Sequence, residues 1–515
     1  MTHFFHYLLL ILLFTVIPEA HSAVSSGKLK ALYNSIDPSS VSQHLAFYDL
    51  YPNTPEGQKA LQDAYRLLAG GSQVTGNTVL PSSLLSSIQS IVGLVNKHPG
   101  EDSIELSDSE LATINTLANR LPNRRLAGYR ATTEGDVLKL PTEQIDLTRG
   151  VLLSQLGSDP DAQRKIKSYE AAIDLMALQI LTRVSLNDSP KMKIRAINHF
   201  IFEEMGFRFP PQSSSVKDID LYTFLPSVLD SRRGVCLGVS ILYVCLAQRL
   251  NLELEIITPP GHIFVRYCKG DQIINIETTA RGIHLPDEEY LGVDTRALEH
   301  RNVKETIGLA HANQAAVFLE RQEYGKALDC YAIAKRYVPH DKHLIELMGY
   351  TCLMHGDESQ AKPLLEQVAG YIPDYAVSKE TIAEDYLKGR VNGDGVKAIL
   401  MHVDQSRSSL LAKKEAIQKV LDKYPNFRDG IFSLAGTWLQ LHRAGEALFI
   451  LTRYHDIDPT NATVEYYLSV LYAERLDYNK AWYHLKLAEQ LVRERDHDPK
   501  ALHELRQELV QLSPE

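Results

Sequence analysis

Positive charge is in short supply: 54 lysines and arginines face 64 aspartates and glutamates across 515 residues, giving a formal charge of -10 and a pI near 6.0. That balance excludes the broad basic footprint on which phosphate-backbone binding rests, so nucleic acid is not an expected partner. The short pairs Arg124-Arg125 and Arg232-Arg233 do not alter this and are expected to be solvated or locally paired charges. Beyond the N-terminal segment no apolar run approaches the ~20 residues of a spanning helix, so no later membrane span is expected. Cysteine is sparse as well: Cys236, Cys245, Cys268, Cys330 and Cys352 all lie in the second half of the chain. Their spacing contains no C-x-x-C pair or other zinc signature, so no structural metal and no cofactor are expected. An odd number leaves at least one thiol outside any disulfide, and in an oxidising compartment such a thiol is either buried or used. Cys245, Cys330 and Cys352 sit among apolar helical residues and are expected in the core, which singles out Cys236.

What is present is ordinary globular material, with 44% hydrophobic and 23% charged residues, which excludes wholesale disorder and collagen-like repeats. At about 100 to 200 residues per domain the length suggests about three domains. Residues 1–22 have the outline of a secretory signal: an uncharged run from Leu8 to Ile17, then Ala20 and Ser22 placed for cleavage before Ala23, although the front end carries no lysine or arginine. Export to the periplasm or beyond is therefore expected, with an uncleaved N-terminal anchor as the alternative. Residues 23–140 show helical periodicity over Leu84 to Val95 and Leu111 to Leu121 but no chemistry. Propeptide, lid and plain structural domain all remain open for them.

From Ile145 onward the pattern tightens. Glu170 to Val184 is apolar on most sides and predicts a buried helix. A further helix is expected to end at Gly206, a short one over Tyr222 to Leu229, a turn at Asp230–Gly234, and an apolar helix over Cys236 to Leu250. The period then changes to alternation: a strand at Leu254 to Thr258, a break at Pro259-Pro260-Gly261, a strand from His262 to Tyr267, a reversal near Lys269-Gly270-Asp271, and a return strand over Gln272 to Thr278.

Beyond Thr306 strand signals vanish and a regular spacing appears. Ala315, Gly349, Ala435 and Ser469 are each followed twelve residues later by Ala327, Ala361, Ala447 and Ala481, and the first three of these alanines are followed twelve later by Pro339, Pro373 and Pro459. The 34-residue steps Ala327 to Ala361 and Ala447 to Ala481 match the period of the tetratricopeptide repeat, in which small residues let paired helices cross closely and proline ends the second helix. Tyr324 and Tyr478 add the aromatic that resembles its consensus. Four to five repeats over 306–498 are expected, one degenerate with an insertion near Gly389 to Ser409, before a helical tail at 499–515.

A nucleophilic cysteine needs partial exposure, an environment that favours thiolate, and an imidazole in reach. Cys236 stands at a predicted helix start, where the positive end of the dipole favours negative charge. His262, after Pro-Pro-Gly, begins a strand able to hold an imidazole. In an antiparallel hairpin, opposed positions have a constant sum of residue numbers. A two-residue turn at Lys269-Gly270 thus sets Glu277 opposite His262, and one at Gly270-Asp271 sets it opposite Phe264, on the same face; a three-residue turn would send Glu277 to the other face.

The stretch Leu229-Asp-Ser-Arg-Arg-Gly-Val-Cys-Leu-Gly-Val-Ser-Ile-Leu-Tyr243, with Ala247, Arg249-Leu250, Pro260-Gly-His-Ile-Phe-Val-Arg266 and Asn275-Ile-Glu277, resembles the bacterial transglutaminase-like superfamily in its Arg-Arg-Gly branch. Asn198, Phe202, Gly206 and Phe207 match the motif that precedes the core there. The resemblance covers roughly residues 145–300 and implies a papain-like arrangement with Cys236 as nucleophile, His262 as base and Glu277 as the acidic orienter. Glu277 replaces the usual aspartate. The expected fold class is α+β, a papain/transglutaminase-like core of helices and a small antiparallel sheet, followed by an all-α tetratricopeptide-repeat solenoid. Two functions follow as expectations: an exported cysteine-dependent acyl-transfer enzyme, hydrolytic or cross-linking, whose repeats bind a peptide or protein; or a non-catalytic adaptor with an inactive core.

Overall fold

The computed structural model describes residues 25–71, 80–101, 105–210, 222–404 and 406–514. The expected signal segment at 1–22 lies outside the described residues. The chain divides into two compact units at Leu80/Pro81.

The first unit holds three helices, α1 (Ser26–Asn34), α2 (Val41–Leu50) and α3 (Pro55–Ala69), around Leu29, Phe47 and Ala60. Each begins where a hydroxyl accepts an amide of the first turn: Ser25 from Lys28, Ser40 from Gln43 and Thr54 from Gly57.

In the second unit, α4 (Ser82–Asn96) and α5 (Asp108–Ala118) pack on α8 (Pro160–Ile180). Leu84, Ile88, Ile91 and Val95 are buried at the helical spacing the sequence predicts. The short α6 (Glu134–Lys139) and α7 (Leu147–Leu156) lead into α8, and α9 (Pro190–Asn198) runs on through a π turn at His199–Glu204 to Gly206 at φ +70°. After α10 (Leu225–Ser231), Arg232 takes φ 52° and the chain turns into α11 (Cys236–Arg249). This last helix is apolar all round and accordingly central, with every residue from Leu237 to Ala247 buried, packed by α7, α8, α9 and the sheet.

The sheet has order β3-β2-β1-β4, with β1 (Glu255–Thr258), β2 (Phe264–Lys269), β3 (Gln272–Ile276) and β4 (Glu299–Arg301), all pairs antiparallel. Lys269 pairs with Gln272, which makes Gly270-Asp271 the two-residue turn, with Gly270 at φ +58°. The first hairpin strand starts two residues later than the alternation predicts and runs on to Lys269, and the return strand stops two residues short of Thr278. His262 precedes β2 in a turn, its amide donating to the Pro259 carbonyl at 3.1 Å, and Glu277 follows β3, bridged to Ile283. The edge strand β4 was not expected, since Glu-His-Arg carries no alternation.

Helical hairpins follow: α12 (Val303–Glu320) with α13 (Tyr324–Tyr337), and α14 (Lys342–His355) with α15 (Glu358–Glu366). The short α16 (Ile382–Leu387) and α17 (Gly393–Ile399) interrupt the series before α18 (Arg407–Lys423). Then come α19 (Arg428–Gln440) with α20 (Ala444–Ile457), α21 (Ala462–Glu474) with α22 (Tyr478–Arg493), and a closing α23 (Lys500–Leu512). The small residues of the period sit where paired helices cross. Ala315, Ala327, Ala361, Ala447 and Ala481 are fully buried, Ser469 donates to the Ala481 carbonyl at 2.8 Å, and a Cβ on Gly349 would lie 2.5 Å from Leu365. The architecture is an α+β core followed by an all-α solenoid.

Candidate active site

Cys236 is the first residue of α11, half-buried, and Val235 before it offers no side-chain cap. The helix can begin there because Gly238 lets its first turn approach the preceding loop: a Cβ on Gly238 would lie 2.3 Å from the Tyr222 carbonyl oxygen. His262 is presented by the Pro259-Pro260-Gly261 turn, in which Gly261 takes φ +74°, a value that favours glycine. Its Nε2 donates to Glu277 Oε2 at 2.6 Å, and the same ring interacts with the Cys236 thiol. The three residues singled out by sequence are therefore together.

The hairpin register explains how. Val265 opposes Ile276, so continuing the ladder by one pair puts Glu277 opposite Phe264, and the longer arm of glutamate reaches back along the same face to His262. This is the register of a Gly270-Asp271 turn, one of the three the sequence left open. Hydrogen bonds from the ring to Cys236 and then to Glu277 push the His262 imidazole up to about 10, against the opposing effect of burial. Burial raises the Glu277 carboxyl, but hydrogen bonds from His262 and Thr279 outweigh it and hold the group below the usual range.

Several residues that support this constellation escaped sequence reasoning. Tyr290 donates to Glu277 Oε2 at 2.9 Å, lies parallel to the His262 ring at 6.1 Å, and stacks on Phe264 at 4.4 Å. Thr279 donates to Glu277 Oε1 through both its hydroxyl (2.6 Å) and its amide (3.1 Å). Four of the carboxylate's contacts are thus fixed before any substrate arrives, a satisfied buried acid rather than a loose one. No periodicity marks Tyr290, which comes from an irregular loop. That loop is tied down by Arg266, whose guanidinium pairs with Asp287 and donates to Asn275 Oδ1 at 2.8 Å, while Asn275 Nδ2 donates to Asp287 at 2.7 Å. Asn198 does the same for the segment after Glu277: its Nδ2 donates to the Gly282 carbonyl at 3.0 Å, and its Oδ1 accepts from Tyr243 of α11 at 2.8 Å. Arg266, Asn275 and Asn198 were legible as motif residues, but not in these positioning roles.

Tyr290→Phe keeps the stack and removes only the hydrogen bond. The expected result is roughly tenfold slower labelling of Cys236 by a thiol-directed electrophile, the low end for a hydrogen bond to a charged group, read by intact mass. A loss under about twofold would show that Thr279 and His262 hold Glu277 without it.

Among the described residues Arg124 pairs with Asp174, and Arg232 donates to the Met205 carbonyl at 3.0 Å and to the Lys97 carbonyl, so one arginine of each basic pair is locally engaged while Arg125 and Arg233 are exposed. Cys245 and Cys352 are buried, Cys330 is half-buried and Cys268 is exposed on β2.

A family profile described as the transglutaminase-like superfamily matches residues 167–315. Residues 167–315 thus carry a transglutaminase-like domain, and tetratricopeptide-like helical repeats follow it. A UPF0162 protein of Xylella fastidiosa (strain 9a5c) is 24% identical over 243 residues, covering 43% of this chain and 82% of that protein. F-box only protein 21 of Mus musculus is 27% identical over 99 residues, 19% of this chain and 14% of that protein. Among solved structures, the TPR2AB domain of yeast Sti1 in complex with pHSP90 is similar with a TM-score of 0.21 and 18% identity, over 40% of this chain and 85% of the other. YrrB, described as a TPR protein with an unusual peptide-binding site, is similar with a TM-score of 0.21 and 15% identity, over 39% and 92%.

Proposed function

We propose that this protein is a cysteine-dependent acyl-transfer enzyme acting on an amide, with Cys236 as nucleophile, His262 as general base and acid, and Glu277 as the group that orients the ring. The observation that supports it most is the single imidazole shared between the Cys236 thiol and the Glu277 carboxylate. Sγ of Cys236 attacks the carbonyl carbon, and the carbonyl π pair moves to oxygen. The oxyanion accepts from the uncapped first-turn amides of α11, at the positive end of a buried helix. Collapse breaks the C–N bond, and the leaving amine takes a proton from His262. Water or an amine then attacks the thioester while His262 removes its proton, and collapse breaks the C–S bond to release Cys236 as thiolate beside the imidazolium, giving a protease or amidase in the first case and a cross-linker in the second. Glu277 keeps the proton on the far nitrogen and stabilises the imidazolium, without itself being protonated.

The repeat array is proposed to bind a peptide or protein and present it. Stacked helical hairpins offer an extended concave surface, and a groove of about 720 Å³ lined by Leu319, Tyr324, Met354, Leu400, Met401 and Val420 lies among them.

Acylation of the full chain by an activated ester, followed by intact mass and peptide mapping, tests the chemistry. Label at Cys236 that turns over in water and disappears in Cys236→Ala supports the enzyme. A Cys236 that never acylates hands the function to the repeats as an adaptor. Export is proposed on the composition of residues 1–22, and the expected mature protein, purified from a bacterial secretion host, begins at Ala23 by N-terminal sequencing. A chain that keeps Met1 would point to an anchor instead.

A further inference from the structure

Three titratable residues from consecutive helices of the last repeats meet far from Cys236 in sequence. His455 lies near the end of α20, Glu465 in the first turn of α21 and His484 on α22. The Glu465 side chain is fully buried, and its two oxygens are divided between the imidazoles: His455 Nδ1 lies 2.6 Å from Oε1 and His484 Nδ1 lies 2.7 Å from Oε2. One nitrogen from each ring and one carboxylate oxygen all lie within 4.8 Å of one another.

We infer that His455, Glu465 and His484 form a binding site for a divalent transition-metal ion of the zinc type. A carboxylate sealed from water needs a compensating charge. Among the described residues the ion-pair partners of Glu465 are these two histidines and no lysine or arginine, and a histidine can supply charge only by holding an extra proton. A divalent cation supplies it directly. Two imidazole nitrogens and a carboxylate are also a donor set that zinc takes when it keeps an open fourth position. To bind, both rings move their proton to Nε2 and offer the Nδ1 lone pair.

The surroundings favour fixed ligands with an entrance. The Tyr472 ring lies parallel to that of His484, with centroids 5.4 Å apart and planes within 5°, and Tyr483 sets an edge against both histidines. The His484 ring is nearly buried, whereas the His455 side chain keeps 18% of its surface in solvent and opens the site on one side. One ion would join three successive helices, so its effect is to staple the end of the array. The chain spacings of ten and nineteen residues match no local metal motif, because stacking of repeats, not one helix face, brings the donors together.

The test uses the full chain stripped with a chelator, then titrated with Zn²⁺ alone and with Co²⁺ alone. Expected are one equivalent of Zn²⁺ bound, a higher melting temperature, and cobalt d–d bands without the thiolate charge-transfer band that binding at any of the five cysteines would give. In His455→Ala, the more exposed of the two histidine positions and chosen to leave the fold intact by circular dichroism, affinity falls by on the order of tenfold or more, and Glu465→Gln removes the cobalt bands. Absence of stoichiometric binding, a thiolate-type cobalt spectrum, or affinity indifferent to His455→Ala would each overturn the assignment and leave a hydrogen-bonded His-Glu-His clamp.

Discussion

Replacing His262 by alanine is expected to slow acylation of Cys236 by about 10²- to 10⁴-fold, the range for a positioned general base, while the exposed thiol of Cys268 reacts at an unchanged rate in the same sample. Cys268 serves as the internal control because it shares solvent and probe but has no part in the constellation. The pH dependence follows from the raised imidazole. Hydrogen bonds to Cys236 and Glu277 keep His262 protonated up to about 10, so the cation beside the sulfur persists throughout roughly pH 6 to 9, where a free imidazole near 6.5 would lose it. The advantage of wild type over His262→Ala should therefore be largest at roughly pH 6, where a thiol without a neighbouring cation stays protonated, and shrink as pH rises past the free-thiol value of about 8.5. The same sign applies to stability. A folded-state value above the unfolded one stabilises fully below about 6.5 and loses its contribution as pH rises through about 10. If Cys236 labels no faster than Cys268 in the wild type, or if the ratio is indifferent to His262, the catalytic proposal fails and the adaptor remains.

How much of this was open to the sequence varies with the range of the interaction involved. Helix α11 was legible almost to the residue because a continuous apolar run bounded by Gly234 is a local signal. The repeat pairs were legible because close crossing demands small residues at fixed intervals, and Ala327, Gly349 and Ser469 each meet a neighbouring helix there. Two of the three registers left open put Glu277 on the His262 face, and choosing among them required knowing which residues turn, a question decided by the Lys269–Gln272 pairing rather than by hydrophobic pattern. Tyr290 and Thr279 were invisible for another reason. Tyr290 acts from an irregular loop whose course is set by Arg266, Asn275 and Asp287, and Thr279 from a single 3-10 turn whose exit Asn198 holds at the Gly282 carbonyl. The His455-Glu465-His484 cluster is the extreme case: three donors on three helices, related only through the stacking of repeats.

The largest expected effect on stability lies at the other end of α11. Asp174 on α8 and Arg249 are both sealed from solvent, with side chains 1% and 0% exposed and Arg249 Nε donating to Asp174 Oδ1 at 2.7 Å. Arg249 Nη1 donates to Thr148 Oγ1 at 2.8 Å and to the Cys245 carbonyl at 3.1 Å, whereas Nη2 has no partner among the described residues. The other Asp174 oxygen accepts from Arg124. One carboxylate therefore neutralises a buried guanidinium and anchors a second, half-covered one. Asp174→Ala leaves the Arg249 charge without its counterion, and the expected cost is about 3–5 kcal/mol, measured by urea unfolding followed by circular dichroism. The double variant Asp174→Leu/Arg249→Met should recover most of that loss, since well-packed apolar side chains of similar volume can replace a buried pair at little net cost. A helix of this length spans about 20 Å, so the pair sits a helix length from Cys236. Acylation per folded molecule should consequently survive Asp174→Ala at temperatures where the variant remains native. A cost below about 1 kcal/mol would mean that Arg249 finds water or another acceptor once the carboxylate is gone. A full loss of acylation in a still-folded Asp174→Ala chain would mean instead that the far end of α11 sets the position of its first turn.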